Sequence, residues 1–245
     1  MAYGTPVLGA VYKTNSDSTP TLNLPAHSTG DLLIAIGATV PHASLSTSIS
    51  SIDQGYVEIG HRAFSATGDL AIYAKIAGAS EVAPTMTLSG VPPNFMGYMF
   101  AVSGGPASIS VASDLVDNSQ VKGYTDTSNE SSFTNTVTPA VDGDLLIWTT
   151  QRAETAWNVA GCTIPQGATM LTTSDTDNNY AGTYGMCLLI AYEVQTTKTT
   201  RAEWNQKFTD GVSPTVTAYC MIGAAFKAGA TTGTATMGRC IYILP

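Results

Sequence analysis

The chain has 245 residues, only 11% of them charged, and its formal net charge at pH 7 is −8. An acidic chain with few lysines and arginines binds nucleic acid and anionic membranes poorly, because neutralising phosphate charge supplies most of such binding. The first residues resemble no signal peptide, and no apolar run is long enough to cross a membrane. We therefore expect a protein folded in a cytoplasm, without nucleic acid or membrane partners.

The polar residues of this chain are mostly uncharged, and threonine and serine are abundant among them. Threonine is β-branched and favours strands, whereas the 23 glycines and 12 prolines are scattered along the chain as turn residues would be. Helix signals are weak, the best being a short stretch at residues 200–206. The composition predicts an all-β fold.

The predicted strands of the first half follow one another at intervals typical of β-sandwiches. Residues 7–12 are predicted as an edge strand, and the apolar run Leu32–Val40 as a central strand that is buried on both faces. Residues 42–51 are predicted as a loop with a short element. Further strands are expected at residues 55–64, 69–76, 85–89 and 98–102.

The second half repeats the landmarks of the first. The pentapeptide Gly-Asp-Leu-Leu-Ile at residues 30–34 recurs at residues 143–147, and each copy follows a threonine-containing run that ends in proline. Each copy precedes a similar strand-like motif, Ile-Tyr-Ala-Lys-Ile at 72–76 and Ile-Ala-Tyr-Glu-Val at 190–194. A strand of small and apolar residues closes each half. Four landmarks in the same order predict an internal duplication.

The predicted architecture is two tandem, internally duplicated β-sandwich domains, jelly-roll-like or immunoglobulin-like, with extended terminal arms. The predicted segments are an N-terminal arm or edge strand at 1–20, a first copy at 21–107, a connector at 108–132, a second copy at 133–229 and a C-terminal arm at 230–245. The C-terminal arm ends in an apolar, strand-like stretch that is expected to dock on a sheet edge of the same chain or of a neighbour. Its predicted interface residues are Arg239, Ile241, Tyr242, Ile243 and Leu244.

Catalytic and metal-binding patterns are weak in this sequence. The three histidines, His27, His42 and His61, all lie in the first half, and there is no nucleophile elbow. Asp31 and Asp144 recur at matching places, where a carboxylate accepting backbone N–H groups in a turn explains both. We therefore predict no enzyme and no cofactor.

Two local patterns in the second half have alternative interpretations. Residues 175–179 match the first positions of a calcium loop but lack its glycine and its final glutamate, so an Asx-rich turn is the prediction. The four cysteines have no zinc-site spacing and are predicted as thiols, with one disulfide as the alternative. Aromatic residues in this region are predicted as core or interface residues. The alternative is a glycan-facing surface, formed by Trp157, Asp175, Asp177, Tyr180 and Tyr184.

The repeated Gly-Asp-Leu-Leu strand and the Ile-rich strand that follows it resemble β-sandwich modules of tailed-bacteriophage virion proteins. The resemblance covers residues 21–104 and 134–229. It implies a non-enzymatic structural protein located in the virion, foremost a capsid decoration (cement) protein, with a tail or fibre component or a carbohydrate-binding adhesive module as the alternative. The implied partners are other virion proteins and further copies of the chain, a trimer being one form.

Overall fold

The computed structural model describes residues 2–40, 47–64, 68–92, 94–126, 139, 142–153, 167–172, 176–177, 186–195 and 217–229. In this part of the chain nearly all regular structure is antiparallel β-strand, and the single helix, α1 (Ala112–Leu115), has four residues. The all-β prediction is confirmed. None of the described helical structure is long and apolar enough to cross a membrane.

The strands of the first half form one large sheet and one small sheet. In chain order they are β1 (Val7–Leu8), β2 (Tyr12–Thr14), β3 (Leu32–Val40), β4 (Ile49–Ile52), β5 (Val57–Phe64), β6 (Gly68–Ile76), β7 (Met86–Leu88) and β8 (Asn94–Val102). The large sheet has the order β1-β8-β3-β6-β5, with β2 also paired to β8, and we call it the first sheet. Strands β4 and β7 form a separate two-stranded sheet, and we call this pair the flap.

The second half forms one large sheet, which we call the second sheet. Its strands are β9 (Val116–Asp126), β10 (Leu145–Ala153), β11 (Thr169–Met170), β12 (Thr176–Asp177), β13 (Met186–Val194) and β14 (Thr217–Phe226). The order is β11-β13-β10-β14-β9, with β12 also paired to β13. The sequence predicted residues 108–132 as a connector, but this segment contains α1 and the eleven-residue β9.

The two large sheets have the same strand order and the same register. Each Gly-Asp-Leu-Leu strand is central, β3 between β6 and β8, and β10 between β13 and β14. Leu32 is opposite Ile76 and Val102, and Leu145 is opposite the matching Val194 and Phe226. The edges correspond as well, because β1 and β2 pair with β8 as β9 pairs with β14, and β5 pairs with β6 as β11 and β12 pair with β13.

The repeated Gly-Asp dipeptide forms the same turn in both halves. Gly30 has φ +90° and Gly143 has φ +92°, a left-handed conformation that glycine adopts without steric cost. The N–H of Gly30 donates to the carbonyl of Ala77 at 2.8 Å, and that of Gly143 donates to the carbonyl of Gln195 at 2.7 Å. The glycine is therefore required by the turn that starts each central strand.

The two large sheets pack face to face around one core. Leu32, Ile34 and Ile36 of β3 belong to the same buried cluster as Leu145 and Ile147 of β10. The sequence predicted two sandwiches in tandem, and the structure corrects this: each half supplies one layer of a single sandwich. A sheet with one apolar face must bury it against another layer, and here that layer is the other half of the chain. The residue limits given to the two copies stay predictions.

The flap covers the opposite face of the first sheet. Ile49 and Met86 of the flap are in one buried cluster with Ala35, Ala71 and other residues of the first sheet. Small residues on that face allow the close approach, since a Cβ at Gly37 would lie 2.5 Å from the Met86 sulfur. The first sheet is therefore a middle layer with both faces buried, as the uninterrupted apolar run of β3 predicted.

The N-terminal residues are part of the sandwich and do not form a free arm. Tyr3 is buried in the shared core, and its hydroxyl donates to the carbonyl of Lys227 at 2.6 Å. The N–H of Gly4 donates to the carbonyl of Ser103, while β1 and β2 extend the sheet beside β8. Residues 7–8 and 12–14 are edge strands, within the segment that the sequence predicted as an N-terminal arm or edge strand.

Candidate functional site

Ionisable side chains of the described residues gather on the outer face of β5 and β6, at the margin of the flap. We call this group the polar strip and define it by Tyr56, Glu58, His61, Asp69, Tyr73, Lys75 and Glu81. The two strands pair antiparallel, with Glu58 opposite Tyr73 and His61 opposite Ala71. Titratable groups held at a packed surface are the usual first candidates for a functional site.

A β-bulge places His61 on the outer face of the sheet. The register between β5 and β6 shifts between Glu58 and Gly60, so one extra residue is inserted in β5. Because side chains alternate along a strand, His61 would otherwise be on the same face as Val57, directed toward the core between the sheets. Bulges commonly re-aim a side chain in this way, and here the bulge directs His61 to Asp69.

His61 and Asp69 form a close pair at the centre of the strip. The imidazole Nε2 lies 2.8 and 2.9 Å from the two carboxylate oxygens of Asp69. Asp69 is 1% exposed, and it also accepts the backbone N–H of Ile49 in the flap. The hydrogen bond with Asp69 raises the pKa of His61, and the charges of Asp69 and Glu58 add to this rise against the effect of burial.

This geometry suits an ion pair better than a general base. The second ring nitrogen, Nδ1, lies 3.6 Å from a carboxylate oxygen of Glu58. Both nitrogens of His61 therefore face carboxylates, which favour the protonated ring. A histidine that activates a nucleophile must present one unprotonated nitrogen to that nucleophile, with the other nitrogen held by an acid. The arrangement can neutralise a buried carboxylate and fix the flap.

A second ion pair lies at the other end of the strip. The ammonium of Lys75 donates to Glu81 at 2.7 Å and to the carbonyl of Gln54 at 2.9 Å, and it lies 5.4 Å from the centre of the Tyr56 ring. Burial alone would raise the pKa of Glu81, but the hydrogen bonds from Lys75 and from the N–H of Gly78 outweigh it and hold that pKa below its usual value. This pair ties two loops to β6.

The two tyrosines of the strip are neutral phenols. Burial raises the pKa of Tyr56, and the nearby charges of Glu81 and Asp53 raise it further. Burial likewise raises the pKa of Tyr73, with Glu58 and Asp69 adding to the effect. Neither phenol is activated as an acid or as a nucleophile, because both activations require a lowered pKa.

The repeated aspartates act in turns, as the sequence predicted, but with different partners. The carboxylate of Asp31 accepts the N–H of Ser28, three residues earlier, at 2.7 Å. The carboxylate of Asp144 is buried and accepts the N–H of Ala228, beyond the end of β14, at 3.0 Å. One aspartate closes its own turn, whereas the other joins the turn to the last strand of the sheet.

Most of the predicted binding residues lie outside the described part of the chain. This applies to the C-terminal interface set, Arg239, Ile241, Tyr242, Ile243 and Leu244, and to Trp157, Asp175, Tyr180 and Tyr184 of the glycan-facing set. Asp177 is in β12, an edge strand of two residues, opposite Met186. The structure therefore brings no predicted binding residues together, and both sets stay predictions. His42 and the stretch at 200–206 also lie outside the described residues.

Metal and disulfide chemistry gain no support within the described residues. No group of three or more histidine, cysteine or acidic side chains there could hold a metal ion. Cys187 in β13 and Cys220 in β14 are on opposite sides of β10, opposite Arg152 and Gln151 respectively. Two strand spacings separate them by roughly 10 Å, which exceeds the reach of a disulfide.

The sequence contains one signal for the polar strip that neither the repeat nor the motif spacings reveal. Asp69 is the second residue of β6 and comes directly before an uncharged, buried run, where a charged residue needs a partner. His61 is eight residues earlier in the neighbouring strand, but the bulge hides the pairing.

No family model matches the chain, and neither a curated protein nor a solved structure is significantly similar to it.

Proposed function

We propose that this chain is a non-enzymatic structural protein that arose by internal duplication, and that it is a virion component of a bacteriophage, foremost a capsid decoration protein. The observation that supports it most is the matched register of the two large sheets around a single core. Such a body is rigid and has nearly equivalent edges. The assignment to a phage particle is based on the resemblance of the sequence to β-sandwich modules of phage virion proteins.

The use of ionisable groups within the fold supports a structural role. His61 and Asp69 neutralise each other at the flap, Lys75 and Glu81 tie loops together, and Asp144 binds a backbone amide. These groups stabilise the protein's own strands and turns. Binding to a partner would then depend on uncharged surfaces and on strand edges, both of which suit repeated contacts in a lattice.

Strand β9 is a long edge strand that is suited to accept a strand from a partner. Within the described residues it pairs with β14 alone, through ten pairs of residues. Between β1 and β2, the amide of Asn23 donates to the carbonyls of Ala10 and Val11. The edge at β13 is covered in part by Thr172, whose hydroxyl accepts the N–H of Ile190 and donates to the carbonyl of Leu188.

The C-terminal segment is the proposed donor strand. The last described residue, Gly229, lies at the end of the second sheet where β9 begins, since Phe226 is opposite Val116. Residues 239–244 are apolar and strand-like, and we propose that they add to β9 of a neighbouring copy in the lattice. Backbone hydrogen bonds would then supply the affinity.

Cosedimentation with purified phage particles tests this proposal, together with light scattering of the free protein. We expect a discrete oligomer that binds particles at a fixed stoichiometry. A chain shortened by deletion of residues 231–245 should keep its unfolding transition but lose occupancy on the particle. Replacing the same residues by a glycine-serine segment of equal length controls for chain length. Full occupancy of the shortened chain would refute the donor strand. A monomer that ignores particles and binds cell-wall glycans would refute the decoration role and favour the adhesive alternative.

A further inference from the structure

We infer that His61, Asp69 and the backbone N–H of Ile49 form a latch that fastens the flap to the first sheet and releases it as the pH rises. This inference concerns the protein alone and does not depend on the proposed function. Asp69 belongs to β6 and Ile49 begins β4, so the hydrogen bond between them joins the sheet to the flap. His61 approaches the same carboxylate from β5.

The latch depends on charge because the carboxylate of Asp69 is buried. A buried carboxylate without a partner is costly, and the protonated ring of His61 supplies the compensating charge. When the ring loses its proton, that compensating charge is lost. Ile49 of the flap is then bonded to a carboxylate whose free energy falls when it moves into water. Opening at this edge of the flap relieves the cost.

The other charged groups around His61 favour the same direction. Glu58 faces the second ring nitrogen from β5, and Asp69 faces the first from β6. The flap contributes an uncharged backbone amide. Arg62 follows in β5 on the alternate face of the strand, and the charged residues of β9 belong to the second sheet. Two carboxylates therefore stabilise the protonated ring, and the latch is closed at low pH.

The remaining fasteners confine the opening to one edge of the flap. Before β4, the hydroxyl of Thr39 donates to the carbonyl of Thr47 at 2.8 Å. After β4, the carboxylate of Asp53 accepts the N–H of Thr85 at 2.8 Å. Neither contact includes a histidine. Release of Ile49 would open the flap at this edge, while Thr47 stays bonded to β3 and the two flap strands stay joined to each other.

Amide hydrogen exchange of the full chain, followed by NMR from about pH 5 to about pH 8.5, tests the latch around the ordinary histidine pKa. After correction for intrinsic exchange, the protection factor of the Ile49 amide should fall as His61 deprotonates. The expected fall is about tenfold for each unit by which the fold raises the His61 pKa. The imidazole signals of the same sample report that pKa directly.

Two variants separate the latch from general effects of pH. In His61→Gln, which alters a partly exposed side chain, the Ile49 amide should exchange fast at every pH. His27→Gln is the matched control and should keep the wild-type profile, since the ring of His27 contacts the carbonyl of Pro25 and its charge acts on Glu81, at the end of the strip away from the latch. Constant protection of Ile49 in the wild-type protein across the His61 titration would overturn the inference. So would a pH dependence that survives in His61→Gln.

Discussion

The two central strands occupy the same place in two matching sheets, yet their inner faces differ. The residues directed to the shared core are Leu32, Ile34, Ile36 and Ala38 in β3, and Leu145, Ile147, Thr149 and Gln151 in β10. The halves near the Gly-Asp turns are equally apolar. Farther along, the second sheet has a hydroxyl and an amide where the first has a methyl-rich surface. Both polar side chains are fully buried and have no hydrogen-bond partner in the described part of the chain.

This difference indicates which end of the duplicated unit the fold constrains. The turn end needs a left-handed glycine, two backbone hydrogen bonds and a leucine in the core, and both copies keep all of these. The far end needs only strand geometry, so one copy tolerates buried polar groups at a cost in stability. The duplicated sheet is therefore specified at its start and varied at its end.

The largest expected effect comes from truncating the matched leucines at the turn end. Leu32→Ala and Leu145→Ala each remove a fully buried side chain, and each should lower the free energy of unfolding by about 2–5 kcal/mol. Because the two sheets share one core, both variants should shift one common transition in urea. Two separate transitions, each sensitive to only one variant, would contradict the shared core.

The second comparison is between the matched aspartates. Asp144→Asn removes the charge from a buried group that binds the N–H of Ala228, and it should cost about 1.5–3 kcal/mol. Asp31→Asn alters a partly exposed turn and should cost less than about 1 kcal/mol. Thermal unfolding at neutral pH measures both. Equal losses would mean that the bridge to the end of β14 adds nothing to the turn.

The polar residues at the far end offer a substitution that should stabilise. Thr149→Val replaces a buried hydroxyl that lacks a partner with a group of similar shape, and we expect a gain of about 1 kcal/mol. The reverse change in the first sheet, Ile36→Thr, should cost about 1–3 kcal/mol. Chemical denaturation of both variants makes the comparison. A loss of stability in Thr149→Val would show that the hydroxyl is satisfied by bound water.

The smallest expected effect is an acid dependence located in the first half. The pKa of Glu81 is lowered in the folded protein, so its contribution is complete above its ordinary pKa and is lost as the pH falls through the folded value. The partners are Lys75 and a backbone amide near the surface, and the contribution should stay below about 1 kcal/mol. Glu81→Gln should therefore flatten stability between about pH 5 and pH 3. An unchanged profile would contradict this role.

The sequence predicted the local parts of this fold well. The bounds of β3 follow from its apolar run, and the equivalence of β3 and β10 follows from the repeat itself. By contrast, β9 is rich in polar residues and becomes a strand through pairing with β14, about a hundred residues away. Alternation likewise shows that one face of a strand is buried without showing which layer covers it, so one shared core and two separate sandwiches give the same pattern.

The candidate site was less predictable than the fold because it depends on register. The pairing of His61 with Asp69 requires the one-residue bulge in β5, and nothing in the local sequence distinguishes that bulge from regular alternation. Lys75 and Glu81 meet because a turn brings them together, six residues apart. Asp144 finds its partner across the sheet. Each contact joins residues whose proximity is a product of folding.

The residues that follow β8 and β14, the closing strands of the two sheets, contact each other at one end of the molecule. The N–H of Gly229 donates to the carbonyl of Gly104 at 2.9 Å, and a Cβ at Gly143 would lie 3.3 Å from the Cα of Ala2. Ala2, the end of the first half at Gly104 and the end of the second sheet at Gly229 therefore lie close together at one end of the molecule. A reporter joined after Gly229 and one joined before Ala2 would emerge side by side. An engineered version could thus present two cargoes at one end of the molecule.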